Sequence, residues 1–226
     1  MSTSTVIPST RARRDSEGQI IRYSFAERVI HWVAGFSYIY LLLTGLSFWS
    51  PYLFWMTDLV GGGPTARSWH PWIGLIFIAT LVRMFFMWHR DMRSAPEDRE
   101  WAKHVGDYIS NRDENLPPIG RFNIGQKQFF WIMFFGGIAL LLSGVAMWLV
   151  NDIPWSWRWL RYTAVMVHAV SALITIGAFI IHVYMGTALV RGSFTSIVHG
   201  EVSVAWARMH HRLWYEQVKD APPPEE

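Results

Sequence analysis

The sequence contains no cysteine and few charges: Cys is 0 and charged residues are 16% of 226. Without thiols the chain forms no disulfides and cannot hold an iron–sulfur cluster through its own thiolates. Any such cluster would belong to a partner. Charge is scarcest in four apolar runs, residues 29–48, 71–88, 129–150 and 163–190, which contain no Asp or Glu. Proton relays in membrane pumps draw on those carboxylates, so their absence argues against a relay. The first twenty residues also lack the apolar core of a secretory signal and read as an uncleaved polar start.

What is present is 51% hydrophobic residues and 14 Trp, a balance that ordinary soluble domains rarely show. Each run is long enough to cross about 30 Å of hydrocarbon. The expected fold is an all-α membrane protein, a four-transmembrane-helix bundle. A polar segment precedes it at 1–21, the domain occupies 22–218, and an acidic Pro-rich tail follows at 219–226. Both ends are expected to be disordered.

Arg11, Arg13, Arg14, Arg22 and Arg28 precede the first run, and Arg90, Arg93, Arg99, Lys103, Arg112, Arg121 and Lys127 lie between the second and third. The other two connections carry only Arg67, and Arg158 with Arg161. The positive-inside rule therefore places both termini in the cytoplasm. Trp49, Trp55, Trp69, Trp72, Trp155, Trp157 and Trp159 crowd the opposite boundary as an anchoring aromatic belt.

His168 and His182 lie fourteen residues apart in the last run. On an α-helix that interval returns a side chain to within about 40° of its starting direction, roughly 21 Å further along. Both imidazoles face one way at two depths. His31 opens the first run from the cytoplasmic side; His70 opens the second from the outer side, with Pro71 suited to a first helical turn. Helix direction then matches His70 with His168 and His31 with His182. A lone intramembrane histidine is usually an interhelical hydrogen-bonding residue. Two depth-matched pairs instead suit bis-histidine axial ligation of two haems.

Small residues stand one turn from each histidine, at Gly35, Gly74, Ala172 and Gly186, and Gly45 lies fourteen residues from His31. They give room to a flat macrocycle, although ordinary helix packing enriches the same residues. Thr163, Ser171 and Thr175 are candidates to orient ring N–H groups or, as is commoner, to bond their own backbone. Arg83 either snorkels to the interface or pairs with a haem propionate. His89, His104, His199, His210 and His211 fall in polar segments and are expected on a solvated surface.

The segment RFNIGQKQFFW, 121–131, brings Asn123, Gly125 and Gln126 together at about the depth of His182. Such donors can bind a quinone carbonyl, and equally can cap a helix.

The four histidines in order, RFNIGQK, the H-P-W-I-G start of the second run, R-Y-x-x-x-x-x-H before the fourth and the late H-H-R-L-W-Y together resemble the cytochrome b, or γ, subunit of membrane-bound respiratory formate dehydrogenases. The resemblance covers about Arg22 to Val218 and leaves out both tails. It implies that His31 and His182 ligate an inner haem b, that His70 and His168 ligate an outer one, and that Asn123, Gly125 and Gln126 bind quinone near His182. It further implies a multi-pass protein of the bacterial inner membrane. An iron–sulfur β subunit and a molybdopterin (Mo or W) α subunit would feed it electrons, the family expectation being a trimer of heterotrimers. No nucleic-acid partner is expected, and formate chemistry would lie in the α subunit. Competing readings are the cytochrome b subunit of another quinone-linked complex, such as a nickel–iron hydrogenase or a thiosulfate or polysulfide reductase, and a cofactor-free transporter.

Overall fold

A computed structural model describes residues 19–190 and 192–220. The expected disordered ends therefore lie outside the described residues, apart from 19–21 and 219–220. In order the elements are β1 (Gln19–Ile21), α1 (Phe25–Trp49), a 3-10 helix (Pro51–Val60), α2 (Gly63–Trp88), α3 (Pro96–Lys103), α4 (Val105–Ile109), α5 (Ile124–Trp148) and α6 (Arg158–Tyr184). A π turn (Met185–Leu189), α7 (Ser193–His199), β2 (Glu201–Ser203), α8 (Val204–His210) and α9 (Arg212–Val218) complete the chain. It forms two compact units.

The apolar unit, 29–86 and 129–182, holds most of α1, α2, α5 and α6. Four helices are long and apolar enough to cross a membrane, and α1, at 25 residues, extends about 37 Å at 1.5 Å per residue. Their interior is a cluster of Ala34, Tyr38, Phe77, Leu81 and Met133, with Ile176 and Phe179 against it. Phe36, Phe86, Phe135, Leu142 and Ile181 are exposed, as lipid-facing side chains should be. Close packing depends on Gly136 and Gly137: a Cβ there would stand 2.5 Å from Thr175 Cγ2 and 2.4 Å from Leu81 Cδ1. The tryptophans assigned to the aromatic belt are all exposed.

The helices outrun the apolar runs. α2 begins at Gly63, so Pro71 lies inside it and His70 is not at its opening. Residues 63–70 are polar and aromatic, and hydrophobicity alone does not register an interfacial turn. α6 likewise starts at Arg158. Gly61 and Gly62, at φ 91° and 89°, turn the chain between the 3-10 helix and α2.

The polar unit contains 19–28, 87–128 and 183–220. Residues 19–21, expected within a disordered start, pair antiparallel with β2. Ile20, Val202, Ala207, Trp214, Tyr215 and Val218 form its core. Gly200, at φ 93°, ends α7, and a Cβ there would stand 2.7 Å from the Tyr23 carbonyl oxygen. That carbonyl approach lets the Arg22 and Tyr23 N–H groups donate to Gly200 O at 2.7 and 3.0 Å.

Buried ion pairs knit this unit. Arg121 donates to Glu27 Oε1 at 2.8 Å, Asp91 Oδ2 at 3.0 Å and Arg22 O at 2.8 Å, while Arg22 donates to Arg121 O at 3.0 Å. Trp88 Nε1 donates to Glu27 at 2.6 Å. Lys127 bonds both oxygens of Asp98, at 2.9 and 2.8 Å. A buried pair broken on one side leaves an uncompensated charge, at a typical cost of about 3–5 kcal/mol.

Candidate functional site: two histidine pairs

Within the apolar unit His31 on α1 faces His182 on α6, with ring centroids 6.1 Å apart. His70 on α2 faces His168 on α6, at 6.4 Å. Two imidazoles bound to one metal ion from opposite sides, with metal–nitrogen bonds of about 2 Å and a further ~1.2 Å to each ring centre, stand roughly 6 Å apart. Both pairs fit that separation. A Cβ at Gly35, one turn from His31, or at Gly186, one turn from His182, would meet nothing within 4 Å, so the space beside both positions is open.

The ring nitrogens show which atom each histidine can offer. Thr44 Oγ1 lies 2.6 Å from His70 Nδ1, and Ser143 Oγ lies 3.0 Å from His168 Nδ1. Each hydroxyl already donates to its own helix, Thr44 to Tyr40 O at 2.8 Å and Ser143 to Ala139 O at 2.6 Å. A hydroxyl has one proton, so a proton spent on its own helix leaves the oxygen as an acceptor toward imidazole. In that arrangement Nδ1 carries the hydrogen, and the Nε2 lone pair is left available to a metal.

The next residue along each helix is glycine. A Cβ at Gly45 would lie 3.7 Å from His70 Cε1, and one at Gly144 would lie 3.2 Å from His168 Cε1. A hydroxyl–glycine dipeptide thus seats each ring of this pair, once from α1 and once from α5. The signal is visible in the chain as LLLTG at 41–45 and LLLSG at 140–144. The hydroxyls that reach these rings come from α1 and α5, not from α6, where Thr163, Ser171 and Thr175 lie. Of those three, Thr175 bonds its own backbone at Ser171 O and Ala172 O, both at 3.0 Å.

The other pair is held differently. His31 Nδ1 is buried without a hydrogen-bond partner among the described residues, and its ring meets Trp32 edge-on at 5.6 Å. His182 stacks on Phe129 at 4.2 Å with the rings 4° from parallel.

Asn123, Gly125 and Gln126 belong to the polar unit and His182 to the apolar one. Asn123 Oδ1 accepts from Gln126 N, and Gln126 Oε1 accepts from Asn123 N, each at 3.0 Å, a reciprocal cap on α5. The cap engages only the amide oxygens, so it does not consume the NH2 donors. Arg121 and Lys127 tether the segment at its two ends through the buried ion pairs above. The Asn123 side chain also hydrogen-bonds Tyr108, whose phenol burial pushes up to about 12. Tyr108, Asn111, Asp113 and His210 line a cavity of about 440 Å³ in the polar unit.

The late histidines are not all at the surface. His211 is 3% exposed, and its Nδ1 lies 2.8 Å from Gly120 O. Burial, then the nearby Arg22 charge, holds it well below its ordinary range, so the neutral ring donates to that carbonyl. His210 is also depressed, first by burial. Packing of α8 and α9 around Trp214 encloses residues that a composition window reads as polar. Arg83 is exposed.

The prokaryotic cytochrome b561 family model matches residues 22–200. The chain therefore belongs to the prokaryotic cytochrome b561 family, a membrane cytochrome class that carries b-type haem. More particularly, it is 35% identical over 209 residues to the cytochrome b556(fdo) subunit of formate dehydrogenase from Escherichia coli K12, covering 92% of this chain and 95% of that one. Its identity to the nitrate-inducible b556(Fdn) subunit of the same strain is 30% over 205 residues, 89% of this chain and 93% of that one. The Haemophilus influenzae formate dehydrogenase cytochrome b556 subunit is likewise 30% identical over 205 residues, 89% of this chain and 84% of that one.

Proposed function

We propose that this chain is the dihaem cytochrome b subunit of a respiratory formate dehydrogenase, delivering electrons to quinone at the cytoplasmic side of a bacterial inner membrane. The observation that carries the reading is the pair of imidazole pairs, each spaced for one iron. His31 and His182 would hold the inner haem, His70 and His168 the outer one. Bound haem supplies reversible one-electron chemistry, letting electrons pass from an iron–sulfur β subunit, fed by a molybdopterin α subunit, toward quinone. The names of the relatives support formate dehydrogenase as the assembly.

The chain's own part is to orient ligands, exclude water and bind quinone. Thr44 and Ser143 fix the tautomer of one pair, and the apolar core of the bundle keeps solvent away. Basic residues concentrate in the polar unit, whose segments 87–128 and 183–220 we assign to the cytoplasm by the positive-inside rule. Asn123, Gly125 and Gln126 offer amide and backbone donors for a quinone carbonyl. Tyr108 retains its proton at working pH, since burial raises its phenol to about 12, and presents a polar wall between the cavity and Asn123.

The deciding experiment is haem quantification on the purified chain with its copurifying subunits identified by mass. Two b-type haems per chain, together with iron–sulfur and molybdopterin subunits, are expected. A haem-free chain would end the electron-transfer reading, and a nickel–iron partner would redirect it.

A further inference from the structure

We infer that Thr44 and Ser143 are positioning residues that set the His70/His168 haem at a lower midpoint potential than the His31/His182 haem, so that the chain itself slopes electrons toward the proposed quinone end. The inference rests on the bis-histidine reading above.

The physical basis is the contrast in hydrogen bonding. In one pair both Nδ1 atoms meet hydroxyl oxygens, at 2.6 and 3.0 Å. Those oxygens belong to side chains only 0% and 5% exposed. Each hydroxyl also donates to its own backbone, which polarises its oxygen and makes it a better acceptor; low surrounding dielectric strengthens the bond further.

A hydrogen bond accepted from the distal N–H raises imidazole basicity toward the metal. Oxidised iron draws more density from its ligands and makes that N–H more acidic, so the bond is stronger in the oxidised state. Stabilising the oxidised state lowers the potential. In the other pair His31 Nδ1 has no such acceptor among the described residues, while His182 stacks on Phe129. The asymmetry is thus in ligand donor strength, while the ring separations are nearly equal.

A glycine follows each hydroxyl, and at His168 the ring needs its small size. Gly45 and Gly144 follow the two hydroxyl residues, and a Cβ at Gly144 would stand 3.2 Å from His168 Cε1. The same dipeptide therefore supplies the acceptor and the space for the ring to reach it.

A potentiometric titration of the haem bands in the purified complex, with the full chain present, tests this. Thr44→Val and Ser143→Ala should each raise the midpoint of the same component and leave the other in place. One neutral hydrogen bond corresponds to roughly a two- to tenfold change in how an electron partitions between the two haems, a tenfold change being about 59 mV for one electron. Thr44→Ser, which keeps the acceptor, should retain the wild-type value. The low-spin electron paramagnetic resonance signal of that component should shift in both valine and alanine variants, independently of turnover. No shift, a downward shift, or movement of different components by the two variants overturns the inference. His70→Ala separates the two levels of argument: if both haems persist, the ligand assignment itself falls; if one is lost while Thr44→Val leaves potentials unmoved, only the inference falls.

Discussion

His70 and His168 rest on hydroxyls from adjacent helices, whereas His31 lacks a partner at Nδ1 and His182 lies flat on Phe129. Centroid separations of 6.4 and 6.1 Å hardly differ. The difference teaches that, on the proposed ligation, spacing decides whether an iron fits, while the groups behind the rings decide how strongly the ligands donate. A second contrast separates the apolar unit, held by side-chain packing and close glycine contacts, from the polar unit, held by buried ion pairs.

The largest expected effect breaks the pairs themselves. His70→Ala and His168→Ala should remove the same haem, and His31→Ala and His182→Ala the other, so haem per chain falls to about half in a pyridine haemochrome assay. Loss in a different pairing would overturn the assignment.

Next comes the polar unit's charge network. Arg121→Met leaves Glu27 buried without its guanidinium partner and should destabilise this unit by about 3–5 kcal/mol. Urea-dependent loss of quinone reduction at concentrations that leave both haem bands intact would show that the two units fail separately.

Acid should find the same weakness. Buried His211 has its pKa depressed on folding from an ordinary 6.5. The unfolded chain then binds the extra proton, and its stabilising contribution, full above 6.5, is lost as pH falls below it, by at most about 1.4 kcal/mol per pH unit. His211→Asn, which keeps a donor toward Gly120 O, should flatten that slope in thermal melts at graded pH.

The smallest effect sharpens the comparison between the two dipeptides. Gly144→Ala forces a 3.2 Å contact on His168 and should broaden or shift the haem spectrum, while Gly45→Ala makes an ordinary 3.7 Å contact and should leave it unchanged. Equal spectra from the two variants would show that the ring environments adapt freely.

Much of this site was legible along the chain because a helix has a fixed pitch. The fourteen-residue interval between His168 and His182 places two rings on one face, and chain direction matches them with His70 and His31. The structure brings those pairs together. Thr44 and Ser143 were not legible in that way, since a hydroxyl that bonds its own backbone looks the same in sequence whether or not an imidazole from another helix reaches it. Pro71 misled for a related reason: read as a first-turn residue, it lies inside a helix that begins at Gly63. His211 lies in a polar stretch, yet short helices fold Trp214 and Tyr215 over the region around it.

The sequence by itself determined the four apolar helices, their histidines and the intervals between them, because hydrophobicity and helical pitch are local properties written residue by residue. Only the tertiary structure decided which hydroxyl backs which imidazole, which ring nitrogen it meets, and which charges are buried together. Those depend on the rotation and approach of separate segments, set by glycine contacts and core packing that no single stretch of chain contains.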